Sequence, residues 1–529
     1  MIRSCCKPVG RRDFLRSLAA FAALLAWPKS AMANAVTLNP TRSPFGLGVA
    51  SGSPATDGFV LWTRLVGAEI PAHAAVRVDW ELFELSSPRQ MIAKGQTVAL
   101  PELGHSVHVE VTGVAADRWY GYRFRVGEAT SPPGRTRTLP TRETMPARLR
   151  FSYASCQHWE NGFYAAYRHM QDEALDLVLF VGDYIYEAAS SQDPRAVRRH
   201  HLPTAGTLED YRARYALYKS DPLLQAMHAQ CPWLLTWDDH EVQNDYAGTH
   251  SIYGTENFLQ LRAAGYQAYY EHMPLRPAAM LAGVEGLMQG KELRIYDRVV
   301  FGQLATFHLL DCRQYRDPPL CSHKARPETS GCRPANAAHS MLGMTQEHWL
   351  DESFKISAQQ GSHWNIVVSQ SRLTPANYHD GAGKNVTVDR WDGYPDARLR
   401  LLRALARHKP RNPLVIGGDI HQNWVAHVHQ DPYNVRSPVI ASEFIGTSIS
   451  SRTGRTQEAA TRHAARNPHC LLSNTEKRGY GVVELTPTRA QVDLRVLDTV
   501  QDQNSPITTL ATFVVEEGKA ARRIVVRPG

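Results

Sequence analysis

The stretch Leu177-Val-Leu-Phe-Val-Gly-Asp183-Tyr-Ile-Tyr186-Glu187 is an apolar run that stops at a glycine and then shows acids and phenols. Such a run reads as a strand buried on both faces, the kind found in a sheet covered by helices. Two further segments repeat the design: Trp233-Leu-Leu-Thr-Trp-Asp238-Asp239-His240-Glu241 and Pro413-Leu-Val-Ile-Gly-Gly-Asp419-Ile-His421-Gln-Asn423. A fourth, Leu149-Arg-Phe-Ser-Tyr-Ala-Ser155-Cys156-Gln157, ends on a thiol. Strands that end this way place their polar residues along one rim of a sheet. Carboxylates gathered there repel one another and call for a cation. The pattern predicts a metal centre, and with it hydrolysis.

Outward from these segments, strands alternate with helical stretches from Arg148 onward, which predicts an α/β domain over about residues 148–510. Thr207 and Asp210 frame a capping box for a helix running to about Tyr218, and Asp221-Pro222 opens another. Arg398 to His408 reads as a short amphipathic helix, and Arg372 to Asp389 as a polar loop at the rim of the site. Residues 43–140 differ in kind. Short alternating strands such as Ala75 to Glu84, broken by Asp57-Gly58 and Pro132-Pro-Gly134, predict a small N-terminal β-sandwich domain. Pro140 to Pro146 reads as the linker. A length of 529 residues agrees with two domains.

The chain carries 43% hydrophobic and 21% charged residues, the balance of an ordinary globular protein. Its formal charge is +8, but residues 1–33 hold six basic residues and one acid, so the remainder carries +3. Nothing in that balance calls for nucleic acid or a membrane surface as a partner. The basic segment is itself informative. Arg11-Arg12-Asp13-Phe14-Leu15-Arg16, the apolar run Leu18 to Trp27 and the small-residue site Ala31-Met-Ala33 read as a twin-arginine signal peptide. The expectation is export through the twin-arginine machinery to the periplasm or beyond, without stable membrane insertion. In such an oxidising compartment Cys321 and Cys332, which flank a proline-bearing loop, are expected to pair as a disulfide. Cys231 and Cys312 sit in apolar runs and read as buried free thiols.

At the four rim segments the chain resembles the alkaline phosphatase D (PhoD) family, a branch of the metallophosphoesterases. Ser43-Pro-Phe-Gly-Leu-Gly-Val-Ala-Ser-Gly-Ser-Pro and Asp57-Gly-Phe-Val-Leu-Trp-Thr-Arg-Leu65 resemble the opening of its N-terminal domain. Asp389-Arg-Trp391-Asp392-Gly-Tyr394-Pro, Asn467-Pro-His469 and Arg478-Gly-Tyr480 resemble later landmarks. The likeness implies a four-layer α-β-β-α metallophosphoesterase sandwich behind the small β domain. It implies Fe3+ and one or two Ca2+ as cofactors, with Mg2+ or another divalent ion as substitutes. Cys156, Asp183, Tyr186 and His421 are then the iron ligands, since thiolate and phenolate together favour iron. Asp239 stands where relatives carry the asparagine of Gly-Asn-His-Glu, and Asp419 where they carry the first histidine of Gly-His-x-His. Both exchanges move the second metal site from nitrogen toward oxygen ligands, which suits calcium.

The resemblance implies a secreted phosphoesterase, an alkaline phosphatase that frees phosphate from small phosphomonoesters by a metal-bound hydroxide. Diesterase or phospholipase D-like activity is the alternative on the same core. His240 is expected as the acid at the leaving oxygen, or else as the residue that orients Asp239. Arg390 and Trp391 either border the substrate or anchor their loop. A periplasmic oxidoreductase lacks support, for no Cys-x-x-Cys or Gly-x-Gly-x-x-Gly follows a strand, and a non-catalytic binding protein leaves the rim acids unexplained.

Overall fold

The computed structural model describes residue 32 and residues 34–279, 293–320, 337–378 and 387–524. The twin-arginine segment, Cys321, Cys332 and the middle of the Arg372–Asp389 loop lie outside the described residues. The apolar run of Leu177–Val181 is a strand, paired in parallel with Leu149–Ala154 on one side and Trp233–Thr236 on the other. These three form the middle of a ten-stranded sheet. Antiparallel strands Arg478–Leu485, Arg489–Leu497 and Ile507–Glu516 continue it at one end, and Val49–Gly52, Phe59–Arg64 and Ser106–Val111 at the other. A seven-stranded sheet has Ala305–Leu309, Trp364–Val368, Pro413–Gly417 and Val439–Ile445 in parallel at its centre.

Alternation along each strand stacks these sheets. Leu177, Leu179 and Val181 face the space between the sheets, where they share a core with Phe307, Ile366, Ile416 and Phe444, while Val178 and Phe180 face the other way. Phe151 meets Phe307 edge-on across that interface, with ring centroids 5.2 Å apart. Over Val178 and Phe180 lie the helices Ala165–Gln171, Leu208–Lys219, Pro222–Gln230 and Phe258–His272. On the far side, Val367 and Val415 carry the helices Gly343–Gln360 and Pro395–His408. The order is helix, sheet, sheet, helix, the four-layer sandwich expected. The local signals read from sequence recur: Thr207 and Asp210 close a capping box on Leu208–Lys219, and the Asp221 carboxylate accepts from the amides of Leu223 and Leu224.

The N-terminal strands are less separate than their alternation suggests. Val76–Glu84, Ser87–Ala99, Trp119–Val126 and Ala129–Thr130 form a small sheet of their own, with Gly134–Arg137 added to Trp119–Val126. Its facing layer is Val49–Gly52, Phe59–Arg64 and Ser106–Val111, which belong to the ten-stranded sheet through the Gly52–Trp233 pairing. Phe59, Leu61, Val78, Val107, Tyr122 and Phe124 fill the space between. Among the described residues no helix is long and apolar enough to cross a membrane.

Candidate metal centre

The parallel strands of both sheets point their C-terminal ends at one rim. Leaving them, the chain turns sharply: Cys156, Asp183, Asp419 and His421 all have φ between 53° and 65°. That left-handed conformation is uncommon outside glycine and costs about 1 kcal/mol or more per residue. Four such residues at the ends of three strands mark a site that the fold holds under strain. Two glycines let the strand ends approach. A Cβ on Gly182 would lie 2.5 Å from the Asp238 Cβ, and one on Gly418 would lie 2.2 Å from Ser155 Oγ.

Ligand atoms of Cys156, Asp183 and His421 gather within 4.8 Å of one another. Asp183 also belongs to a second group with Asp239 and His240, and Asp239 to a third with Asp245 and Asp389. Asp183 is therefore a shared carboxylate. Its Oδ2 accepts from the Tyr186 hydroxyl at 2.9 Å, while Oδ1 is buried without a hydrogen-bond partner. His421 donates from Nδ1 to the Arg452 carbonyl at 2.8 Å, and its Nε2 lies 3.1 Å from the Tyr186 oxygen. One phenol proton cannot serve both Asp183 and His421, so this trio is short of hydrogens. Cys156 Sγ has Ser155 Oγ at 3.2 Å as its hydrogen-bond partner.

Electrostatics agree. Burial, then the Asp183 charge, pushes both the Cys156 thiol and the Tyr186 phenol up from their ordinary values. Burial also raises Asp183, and Asp239 adds repulsion. Asp245 is raised to about 9 by burial and by Asp389 and Asp239. Asp239 goes the other way: against burial, Arg313 and His240 hold it well below the carboxylate range. Charged forms of the raised groups need a cation, and the donor set, sulfur, phenol, imidazole and shared carboxylate with an orphaned oxygen, fits one.

Around the ligands sits a shell that sequence reasoning passed over. Glu241, fully buried, takes the amides of Asp183, Tyr184 and Asp238 onto its two oxygens at 3.2, 2.5 and 2.8 Å. Glu187 accepts from His240 Nδ1 at 2.7 Å and from the Asn244 amide at 2.8 Å. Glu187, Asp239 and Asp183 outweigh burial and raise the His240 imidazole well above its usual value. Arg313 bridges Asp238 and Asp389, and Arg316 joins Asp389 at 2.5 Å, a buried network of ion pairs. Sequence carried a signal for Glu187, which directly follows Tyr186, and for Asp245, which lies in an Asn-Asp turn shortly after His240. Asp389 opens one of the landmark segments, but its pairing with Arg313 and Arg316 was not readable there, because those partners come from a distant segment.

The remaining predicted residues fall as follows. Asp419 lies outside the three groups and is held by Arg390, Nε to Oδ2 at 2.5 Å and Nη2 to Oδ1 at 3.2 Å, within electrostatic reach of Cys156 and Asp238. Trp391 is fully buried and donates from its indole to Ser369 Oγ at 3.0 Å, an anchor for its loop. Tyr184 packs below the rim with its hydroxyl 2.8 Å from His228 Nε2. His429 is buried and its Nδ1 donates to the Ser437 carbonyl at 2.8 Å, because the 430–438 turn folds back over it. Cys231 and Cys312 are free and buried, as their apolar surroundings imply.

A helix-covered double sheet with a shared carboxylate between metal-type ligand groups defines a metallophosphoesterase-like hydrolase. Residues 151–494 match the PhoD-like phosphatase family and residues 30–140 match the N-terminal domain of PhoD-like phosphatases, so the chain belongs to that family of phosphoric ester hydrolases. It is 38% identical to alkaline phosphatase D of Bacillus subtilis (strain 168) over 532 residues, covering 97% of this chain and 89% of that one. A solved structure of PhoD superposes with a TM-score of 0.86 at 37% identity, covering 93% of this chain and 94% of that one.

Proposed function

We propose that the protein is an exported, metal-dependent alkaline phosphatase that hydrolyses small phosphomonoesters. The observation that carries this reading is Asp183, a buried carboxylate shared by two ligand groups and left with one oxygen unpartnered. Cys156, Asp183, Tyr186 and His421 would hold Fe3+, whose preference for thiolate and phenolate matches that set. Asp183, Asp239 and Asp419 would present oxygen to Ca2+, and the Asp239–Asp245–Asp389 group offers a place for a second such ion. Bound there, the cations would supply Lewis acidity for ester hydrolysis and offset the charge of the phosphoryl group.

The protein's own residues do the rest. Glu187 fixes His240 by its Nδ1–H, so that Nε2 is free to give a proton to the departing alcohol oxygen. Arg390 orients Asp419 and brings a guanidinium to the same rim. The twin-arginine pattern at Arg11-Arg12 supports export with the metals loaded beforehand.

Asp183→Asn tests the reading. The amide cannot bridge two cations, so iron content and turnover of p-nitrophenyl phosphate are both expected to collapse. A variant that keeps both would sink the assignment. Turnover of p-nitrophenyl phosphate against bis-p-nitrophenyl phosphate separates the monoester reading from the diester one, and monoester preference is expected.

A further inference from the structure

Three imidazoles surround the Tyr186 ring: His158, His240 and His421, at centroid distances of 4.5, 4.1 and 6.5 Å. All three are half-buried, as are Asp419 and Asp245, whereas Cys156, Asp183, Tyr186 and Asp239 are buried. In each of the three histidines the protein engages Nδ1. Glu187 takes the Nδ1–H of His240, and the Arg452 carbonyl takes that of His421. His158 differs in sign. Its Nδ1 accepts, from the backbone N–H of Glu160 at 3.2 Å.

That difference settles what His158 offers. A ring nitrogen that accepts a hydrogen bond carries no proton, so the neutral imidazole bears its proton on Nε2. The Nε2–H has no partner among the described residues. The residue is nevertheless held firmly. Its backbone N–H donates to Ser451 Oγ at 3.1 Å and its carbonyl accepts from Ser450 Oγ at 2.8 Å. Ser451 Oγ is itself 2.7 Å from the Cys156 carbonyl and 2.7 Å from the Tyr186 hydroxyl. His158 is thus built into the frame of the candidate iron ligands, with one ring donor left unpaired among the described residues. Polar groups in such surroundings are normally paired, and one left open beside the Tyr186 ring is available to a ligand at the rim.

We propose that His158 Nε2–H donates a hydrogen bond to an oxygen of the substrate's phosphoryl group. The inference rests on the phosphoesterase reading above and assigns a residue to the recognition of phosphate itself, in ester and product alike. As a neutral donor it adds no charge beside the metal ligands and needs no counterion. A hydrogen bond to an anionic oxygen contributes about tenfold or more in affinity.

Side-chain geometry gives a test that separates this role from the capping of Glu160. Asn places its amide near Nδ1 and can keep the cap but not reach Nε2. Gln places an N–H near Nε2. For metal-loaded protein, His158→Asn is expected to weaken inhibition by inorganic phosphate about tenfold and to raise KM for p-nitrophenyl phosphate in step, with iron content unchanged. His158→Gln should recover phosphate affinity to within about threefold of the original. Asn protein that binds phosphate as tightly as the original would overturn the proposal. So would Gln protein as weak as Asn at full iron content, since that points to ring packing on Tyr186. An unsubstituted protein that neither cleaves esters nor binds phosphate would remove the functional reading, and this inference with it.

Discussion

Glu187 shows how one carboxylate sets the work of another residue. With both oxygens occupied, by His240 Nδ1 and the Asn244 amide, it has no freedom to serve as a ligand. On the proposed reading its effect on chemistry would pass through His240, whose charged form it stabilises. Glu187→Gln keeps the shape and removes the charge. Proton donation matters most when the leaving alcohol is a poor one, because a good leaving group such as p-nitrophenol departs without help. The expected outcome is a fall in kcat of about 10- to 100-fold for an alkyl phosphate and of less than about threefold for p-nitrophenyl phosphate. Equal losses on both substrates, measured at full iron content, would mean that His240 does not deliver a proton. The gathering of Asp239 and His240 with Asp183 at the rim was legible from their place after an apolar strand. Glu241, beside them, was not, because clamping three amides is a role that only the folded turn reveals.

At the scale of elements, the rim depends on strand ends that crowd together. At Gly182 the obstruction includes backbone. The residue adopts φ +100°, and any Cβ there would strike the Asp238 Cβ at 2.5 Å and its amide nitrogen at 2.6 Å. Backbone atoms cannot yield as a flexible side chain would, so Gly182→Ala must separate the Leu177–Val181 and Trp233–Thr236 strand ends or distort them. A cost of about 2–4 kcal/mol is expected, and with it displacement of Asp183 from Asp239. A lower urea midpoint accompanied by reduced iron per chain would bear this out, and an unchanged midpoint would refute it. The strands and most helices were legible because apolar runs, capping residues and glycine stops are local signals. Pairing was not. The strands of residues 43–140 alternate as a sandwich should, yet the link that joins three of them to the catalytic sheet runs from Gly52 to Trp233, and nothing near Gly52 announces it.

Across the whole molecule, that join creates a seam between the N-terminal strands and the helices over the site, and Lys219 is buried in it. The residue ends the Leu208–Lys219 helix, is 1% exposed, and sets its ammonium over the Trp62 ring at 4.1 Å and near Tyr184 at 5.5 Å. Sequence offered no sign of this, since a lysine at a helix end ordinarily reaches solvent. Burial lowers its pKa from 10.5 to about 7. Between those values the unfolded chain binds a proton that the folded chain has released, so stability rises with pH across that window. Below about 7 both states carry the charge, and the folded state bears the full cost of burying it. Above 10.5 neither does, and the cost is gone. Lys219→Met keeps the stem and removes the charge. Allowing for the attraction of Trp62 and Tyr184 for a cation, the variant is expected to be more stable by about 2 kcal/mol at about pH 7. The advantage should shrink steadily toward pH 10.5. Thermal midpoints of both proteins from about pH 6 to about pH 10.5 test it, and a variant less stable than the original near pH 7 would mean that the aromatic faces outweigh burial. The expected course means that the cost of burying Lys219 in the seam falls away as the pH rises toward 10.5.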